Sequence, residues 1–285
     1  MTVTGPPADW PLSEASRMVL SRPHHWHVQT LGDGPVLLFL HGAGGSTHSW
    51  RDVLPRVPGF TCIAVDLPGH GYTRLGSRQR SSLECMAQDI RALAEQEGWQ
   101  IVGIVGHSAG GAIALRLSQM LPDHPPVLAI NPALQPFEGL AGVVFPVAAR
   151  AIASLPFAVD LIHKTLVAPS RTRQLLAGTG SKIDETGAAL YARLMSRRAH
   201  IEGALLMMAQ WTLTGLTADL PKLDTRALFL AARQDKTVPP ETASTAARRM
   251  AHAEVEWLDG LGHLAHEEEP DRIAARIARF FASGS

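Results

Sequence analysis

A doubly wound α/β fold, with a mostly parallel sheet and an inserted helical cap, is the architecture that the sequence predicts. Short apolar runs alternate with helical patterns along most of the 285 residues. The alternation stops between residues 134 and 221, where only helical patterns occur. Strand–helix alternation is typical of a parallel sheet with helices on both faces. An all-helical stretch between two of its strands indicates an inserted cap.

Six apolar runs are predicted as strands. Most are continuously apolar, as expected for strands that are buried on both faces of a sheet, whereas the last one alternates. Several runs end in Gly, Asp or Asn residues, and sheets of this type bind their ligands at the carboxyl ends of the strands. The runs are 35–42, 60–69, 100–108, 126–133, 226–235 and 253–260.

The segments between these strands have helical periodicity. Residues 134–221 contain further helical patterns, which are punctuated by Pro and Gly. We therefore predict a core domain of residues 1–133 and 222–285, and a helical cap of residues 134–221. The helices of the core are predicted at 83–97, 109–121, 241–251 and 264–281.

The bulk composition excludes several classes of protein. Hydrophobic residues make up 46% of the chain, so that a large core can form and disorder is not expected. Lys plus Arg and Asp plus Glu both number 26, and the zero net charge argues against nucleic acid or an anionic membrane as a partner. Cys62 and Cys85 form neither a disulfide framework nor a zinc motif. No metal and no cofactor are predicted.

Two segments bear on location. The N-terminal "MTVTGPPADWPLSEASR" has neither the charged nor the apolar region of a signal peptide. The most apolar helical pattern, at 140–155, contains Pro146 and Arg150 and is shorter than the ~20 residues that span a bilayer. We therefore expect a soluble, cytoplasmic protein without a membrane span.

The stretch "GHSAG" at 106–110 fits the pattern G-x-S-x-G, which places a serine on a sharp strand-to-helix turn. The strand before it and the helix after it are both predicted. As an alternative, Ser108 is only the N-cap of a structural turn. The strand–helix context favours Ser108 as a nucleophile with an exposed hydroxyl.

A nucleophilic serine needs a base, and the base needs a carboxylate that orients it. Asp235 and His263 each follow a predicted strand, at the same edge of the sheet as Ser108. A turn aspartate and a surface histidine are the alternatives. His266 is a rival base, but it falls inside the last helical pattern, whereas His263 follows a glycine in a loop. The predicted catalytic residues are Ser108, Asp235 and His263.

Acyl transfer also needs N–H donors for the developing oxyanion. One donor is predicted at Ala109, which follows the nucleophile. The second is predicted at Ala43, with Gly44 as the alternative, in the small-residue loop "HGAGG". This loop lacks the G-x-G-x-x-G and G-K-[ST] patterns, so a nucleotide site is not expected.

Several large side chains are candidates for a substrate surface above the nucleophile. Packing of the cap on itself and on the sheet is the alternative role for each of them. The candidates are Trp50, His107, Phe137, Met207 and Trp211.

Five segments together resemble the α/β-hydrolase superfamily: "HGAGGSTHSW", "DLPGHG", "GHSAGG", "DKTVPP" and "GLGHLAHEEEP". Their order and spacing span most of the predicted core. Four further segments resemble the BchO group, magnesium-chelatase accessory proteins of bacteriochlorophyll synthesis. These are "DWPLSEASRMV", "WHVQTLGDGPVLLFLHGAGGSTHSWRD", "TGSKIDETGAALYARL" and "GALLMMAQWTL".

The superfamily resemblance implies an α/β-hydrolase fold and serine hydrolase chemistry on an ester-like bond of a small apolar substrate. The BchO resemblance implies a role around magnesium insertion into protoporphyrin IX, with a porphyrin and magnesium chelatase as candidate partners. A non-catalytic porphyrin-binding or chelatase-docking protein is the alternative. A carbon–carbon bond hydrolase and a haloperoxidase-like esterase also remain open.

Overall fold

A computed structural model describes residues 5–135, 163 and 168–283 of the chain. Its centre is a single sheet of eight strands. The strands are β1 (Ser16–Ser21), β2 (His24–Leu31), β3 (Val36–Leu40), β4 (Thr61–Val65), β5 (Ile101–His107), β6 (Val127–Ile130), β7 (Ala227–Ala232) and β8 (Ala253–Leu258).

The strand order is β1-β2-β4-β3-β5-β6-β7-β8, and every pair from β4 to β8 in this order is parallel. All six predicted strands are present, which confirms the mostly parallel, doubly wound sheet. Side chains of the central strands are buried on both faces; β6 and β7 have no exposed residue. This burial explains why their sequences are continuously apolar.

The antiparallel hairpin β1–β2 was not predicted. Strand β2 lacks an apolar signature because it buries the polar side chains of His24, His27 and Gln29. Each of these side chains has a hydrogen-bond partner elsewhere in the chain, as buried polar groups require. Only the fold supplies these partners.

The described helices cover both faces of the sheet and agree well with the predicted ones. The helix predicted at 83–97 has these bounds, because Ser82 accepts from Cys85 N at its start and Gly98, at φ 68°, ends it. The helices are α1 (Leu83–Glu97), α2 (Ala109–Met120), α3 (Pro169–Gly178), α4 (Glu185–Met195), α5 (Arg198–Gln210), α6 (Thr214–Asp219), α7 (Glu241–Ala247), α8 (Ala265–Glu268) and α9 (Pro270–Ala282).

The helix predicted at 264–281 is in fact two helices, α8 and α9. Pro270 has no N–H group and is the first residue of α9, so the helical pattern is interrupted at Glu269. The helix predicted at 241–251 is α7, which ends earlier, at Ala247. These corrections concern helix ends, where local sequence is least decisive.

Between β6 and β7, the described residues from 168 onward form helices α3–α6 and no strand. We call these helices the inserted helices. The cap boundaries at residues 134 and 221 stay a prediction. In the part of the chain that the structure describes, no helix is long and apolar enough to cross a membrane.

Candidate active site

Ser108 lies at the junction of β5 and α2, at the carboxyl edge of the sheet. Its φ of 53° and ψ of −118° are strained for a residue with a side chain. Hydrogen bonds hold this backbone from both sides, since Ser108 N donates to Ile130 O and Ser108 O accepts from Gly111 N and Ala133 N. Ser108 occupies the N-cap position, but its hydroxyl makes no capping hydrogen bond to α2. Helix capping therefore does not account for this serine.

The glycines of the G-x-S-x-G stretch allow the strand and the helix to touch. A Cβ atom at Gly106 would lie 2.4 Å from Gly110 O, and one at Gly110 would lie 2.2 Å from Leu40 O. Neither position can hold a larger residue without moving the backbone. This close approach fixes Ser108 at the top of β5.

Asp235 follows β7, His263 follows β8, and their side chains meet. His263 Nδ1 donates to Asp235 Oδ2 over 2.7 Å, with 7% and 1% of the two side chains exposed. The other carboxylate oxygen of Asp235 accepts from Thr237 N at 2.7 Å and Val238 N at 2.9 Å. These bonds place the proton of a neutral His263 on Nδ1 and leave Nε2 as the basic atom.

The structure brings all three predicted catalytic residues to one edge of the sheet. Among the described residues, no hydrogen bond joins Ser108 Oγ to the His263 ring. Nucleophile–base hydrogen bonds commonly tighten only in the complex with substrate. The residue beside the nucleophile makes the direct link: His107 Nε2 donates to His263 O over 2.9 Å.

His266, the rival base, has different surroundings. It is fully buried in α8, with its ring centroid 4.5 Å from that of Trp50 and 4.4 Å from that of His107. Neither of its ring nitrogens has a partner among the described residues. Burial, together with the charges of His263 and Arg51, lowers the pKa of His266 to about 3. The structure pairs Asp235 with His263 and not with His266.

The loop after β3 lies directly against the nucleophile. A Cβ atom at Gly42 would lie 3.0 Å from Ser108 Cβ, so the two residues are in contact. His41 Nδ1 donates to Gly42 O at 2.8 Å, and His200 Nε2 donates to Gly44 O at 3.1 Å. Because histidines hold these carbonyl groups, the course of the loop beside Ser108 is fixed.

The two predicted oxyanion donors have no competing acceptor. Neither Ala43 N nor Ala109 N donates a hydrogen bond to another residue that the structure describes. Ala109 N is the first N–H of α2, where the helix has no internal acceptor for it. Their role as oxyanion donors stays a prediction.

The remaining substrate-surface candidates lie in different places. Trp50 is fully buried in the core that α9 covers, where it packs on Phe39, and Met207 is buried in the core on the other face of the sheet. Trp211 is half-buried against that second core. Packing accounts for Trp50, so the structure favours the alternative role for this residue. Phe137 lies outside the described residues.

Asn131 is a site residue that the sequence analysis missed. It follows β6 at φ 46°, and its Nδ2 donates to Gly262 O at 3.1 Å and His263 O at 2.9 Å. Its Oδ1 accepts from Ala232 N at 2.7 Å. Asn131 thus ties the His263 loop to the end of β7. A polar residue near the end of a predicted apolar run was the signal that could have found it.

Asp66, in the "DLPGHG" segment, directly follows β4 at the same edge of the sheet. Its carboxylate accepts from His27 Nδ1, Thr47 N and Tyr72 N, each at 2.7 Å, and both Asp66 and His27 are fully buried. Burial by itself would raise the pKa of Asp66, but His27 and the Tyr72 N–H hold it well below the usual 3.8. Asp66 is a buried anion that orders the loops around the site.

Among the described residues, no group of three or more His, Cys, Asp or Glu side chains is arranged to hold a metal ion. Asp235–His263 and Asp66–His27 are instead carboxylate–imidazole pairs.

Comparison with known proteins agrees with this architecture. Residues 37–276 match the model of the alpha/beta hydrolase family. The Magnesium-chelatase 30 kDa subunit of Rhodobacter capsulatus is 42% identical over 274 residues, which cover 95% of this chain and 96% of the relative. A pimeloyl-[acyl-carrier protein] methyl ester esterase of Xanthomonas axonopodis pv. citri is 27% identical over 90% of this chain and 99% of its own.

Among solved structures, the epoxide hydrolase CorEH is similar with a TM-score of 0.79 and 22% identity, over 94% of this chain and 98% of that one. At that identity the likeness establishes the fold. The predicted fold class and the resemblance to a magnesium-chelatase protein are both confirmed. The chain belongs to the alpha/beta hydrolase family.

Proposed function

We propose that this protein is a serine hydrolase that cleaves an ester-like bond of an apolar substrate. One observation carries the proposal: a buried Asp235–His263 hydrogen bond of 2.7 Å at the sheet edge where Ser108 is held at φ 53°. A carboxylate, an imidazole oriented by it and a serine on a strained turn are the parts that acyl transfer through a serine requires.

In the proposed reaction, His263 Nε2 takes the hydroxyl proton of Ser108 while Ser108 Oγ attacks the ester carbonyl carbon. Asp235 keeps Nδ1–H in place and stabilises the imidazolium. The N–H groups of Ala43 and Ala109 hold the oxyanion. The proton then passes from His263 to the departing alcohol, which leaves an acyl-serine. A water molecule, deprotonated by His263, releases the acid and returns the proton to Ser108.

The substrate and its biological setting are proposed from the relatives. The 42% identity to a magnesium-chelatase subunit supports a task close to magnesium insertion into a porphyrin. The methyl ester esterase supports an ester as the bond that is cleaved. We propose that residues 134–221 act as a cap that selects an apolar substrate of tetrapyrrole size, with magnesium chelatase as partner.

Labelling by a fluorophosphonate serine probe, together with hydrolysis of p-nitrophenyl butyrate, tests the chemistry. Wild type is expected to react and Ser108→Ala to lose both signals, while Asp235→Asn lowers kcat by about 10⁴-fold because the imidazole loses its orienting partner. The matched control is Ser196→Ala, which removes an exposed hydroxyl that donates to Arg193 O at the end of α4. A wild-type protein that neither labels nor hydrolyses the ester would refute the serine hydrolase proposal.

A second candidate function is a non-catalytic porphyrin-binding or chelatase-docking role. The name and the 42% identity of the chelatase relative are the observation that favours it. Titration of protoporphyrin IX against tryptophan fluorescence tests binding. Restoration of pigment synthesis by Ser108→Ala, in a bacteriochlorophyll-producing strain that lacks the protein, would assign the biological role to binding. A failure of Ser108→Ala to restore it would assign that role to catalysis.

A further inference from the structure

The turn that follows α3, residues 179–181, lies among the inserted helices, and we call residues 168–221 the inserted segment. The turn touches the loop that carries Asp235 (the acid loop) and the loop that carries His263 (the base loop). The carbonyl oxygen of Thr179 accepts from Lys236 N at 3.1 Å and from His263 N at 3.3 Å. One oxygen atom therefore holds both the residue after Asp235 and His263 itself. We call residues 179–181 the clasp.

Three consecutive N–H groups of the base loop donate hydrogen bonds to the clasp or to Glu268. Gly262 N donates to Glu268 Oε1 at 2.8 Å, His263 N to Thr179 O, and Leu264 N to Ser181 Oγ at 2.7 Å. The second oxygen of Glu268 accepts from Lys182 N at 3.0 Å, directly after the clasp. Two of the three N–H groups are thus bonded to the clasp, and the third is bonded to a carboxylate that Lys182 N also contacts.

Backbone packing makes the contact tight. A Cβ atom at Gly180, which has φ 84°, would lie 2.0 Å from Gln234 O in the acid loop. One at Gly262 in the base loop would lie 2.4 Å from the carbonyl carbon of Gly180. Only glycines at these two positions let the clasp lie between the loops. Ser181 itself is 7% exposed, so water does not compete well for its hydroxyl.

The core holds the opposite side of the same loop. His263 O accepts from His107 Nε2 and from Asn131 Nδ2, both at 2.9 Å. The core therefore binds the carbonyl side of the His263 peptide units, while the clasp binds their N–H side. Hydrogen bonds therefore hold the loop that carries the His263 imidazole from both sides.

We propose that the clasp is a positioning element of the acid–base pair, with Ser181 as its side-chain contact: docking of the inserted segment sets the alignment of His263 on Asp235. The inference deepens the proposed hydrolase function and rests on it. Ser181 touches no reacting atom and acts through Leu264 and His263. Loss of the Ser181 hydroxyl affects the alignment of the base more than the binding of substrate.

The experiment compares Ser181→Ala, Ser181→Thr and the control Ser196→Ala in p-nitrophenyl butyrate hydrolysis. We expect Ser181→Ala to lower kcat about 10-fold to 100-fold with KM nearly unchanged, because misalignment of a catalytic group has costs of this size. Ser181→Thr retains the accepting hydroxyl and is expected to recover most of kcat. Ser196→Ala is expected to equal wild type.

Proton NMR supplies a readout that does not depend on turnover. The downfield resonance of the His263 Nδ1 proton, bonded to Asp235, is expected in wild type and weakened or shifted in Ser181→Ala. If kcat and this resonance both stay at wild-type values in Ser181→Ala, or if Ser196→Ala loses as much, the clasp is not a positioning element. If wild type has no hydrolase activity, the proposed function fails, while the resonance still decides whether the clasp aligns the pair.

Discussion

His107 donates a hydrogen bond from Nε2 to the backbone carbonyl oxygen of His263, over 2.9 Å. The residue beside the proposed nucleophile is thereby bonded to the main chain of the proposed base. A carbonyl oxygen can only accept, so the proton of a neutral His107 is on Nε2. Burial, with added repulsion from His266 and His263, lowers the pKa of His107 well below 6.5 and keeps the ring neutral.

Replacing His107 with Phe should slow catalysis more than it weakens substrate binding. The substitution keeps a ring against His263 and His266 but removes the donor, so Asn131 alone holds the His263 carbonyl group. We expect kcat of ester hydrolysis to fall about 10-fold, with KM nearly unchanged. His252→Phe, at an exposed position before β8, is the control. Equal kcat values for His107→Phe and wild type would contradict this role.

The identity of the base follows from a pair of substitutions. His263→Ala should abolish fluorophosphonate labelling, since no other described histidine is bonded to Asp235. His266→Phe should retain it, because the His266 ring has no hydrogen-bond partner among the described residues and packs against the rings of Trp50 and His107. Loss of labelling in His266→Phe, with the fold intact by circular dichroism, would transfer the base role to His266.

The same His266→Phe protein should tolerate acid better than wild type. The pKa of His266 is lowered from 6.5 to about 3 by burial first of all, so the unfolded chain takes up the proton before the folded one. Wild type therefore loses stability as the pH falls from 6.5 towards 3, and the phenylalanine protein lacks that contribution. Urea unfolding at several pH values measures it. Parallel stability curves for the two proteins would contradict the expectation.

Asp66→Asn should destabilise the fold most at neutral pH. The carboxylate has a pKa below 3.8 in the folded protein, so its contribution is fully present above 3.8 and is lost as the pH falls further. Removing one member of a buried pair costs about 3 kcal/mol in the free energy of unfolding. The difference from wild type should shrink in strong acid. Asp33→Asn, in an exposed loop, is the control, and an equal loss there would refute the role of Asp66.

Arg51, Glu267 and Tyr191 join the core to the inserted helices. Glu267 accepts from Arg51 Nη1 at 2.6 Å and from Tyr191 OH at 2.7 Å, with 1% of its side chain exposed. Burial raises the pKa of Glu267, although Arg51 and Tyr191 oppose the shift. Arg51→Met should therefore cost about 3 kcal/mol at neutral pH, and less in acid, where Glu267 is protonated.

A double-mutant cycle with Glu267→Gln tests the coupling in this group. Arg51→Met is expected to be much less harmful when residue 267 is already uncharged, because no buried charge is then left without its partner. Urea unfolding measures all four proteins. Additive losses for the two substitutions would mean that Arg51 and Glu267 do not stabilise each other.

The sequence by itself determined the α/β architecture, because the apolar periodicity of strands and helices is local. It also determined where Ser108, Asp235 and His263 lie, since the carboxyl ends of parallel strands share one edge. A residue that directly follows a predicted strand could be assigned to that edge without knowledge of any contact. The proposed triad could be predicted from the sequence for this reason.

Only the tertiary structure decided which side chains meet. Asn131 reaches His263 across 132 residues of sequence, and the turn at 179–181 reaches the acid and base loops from within the inserted segment. Strand β2 and Trp50 show the same limit, because burial of polar groups and packing of a tryptophan depend on distant partners. Hydrogen bonds between remote segments leave no periodic pattern in a sequence, so the residues that align His263 emerged only from the folded chain.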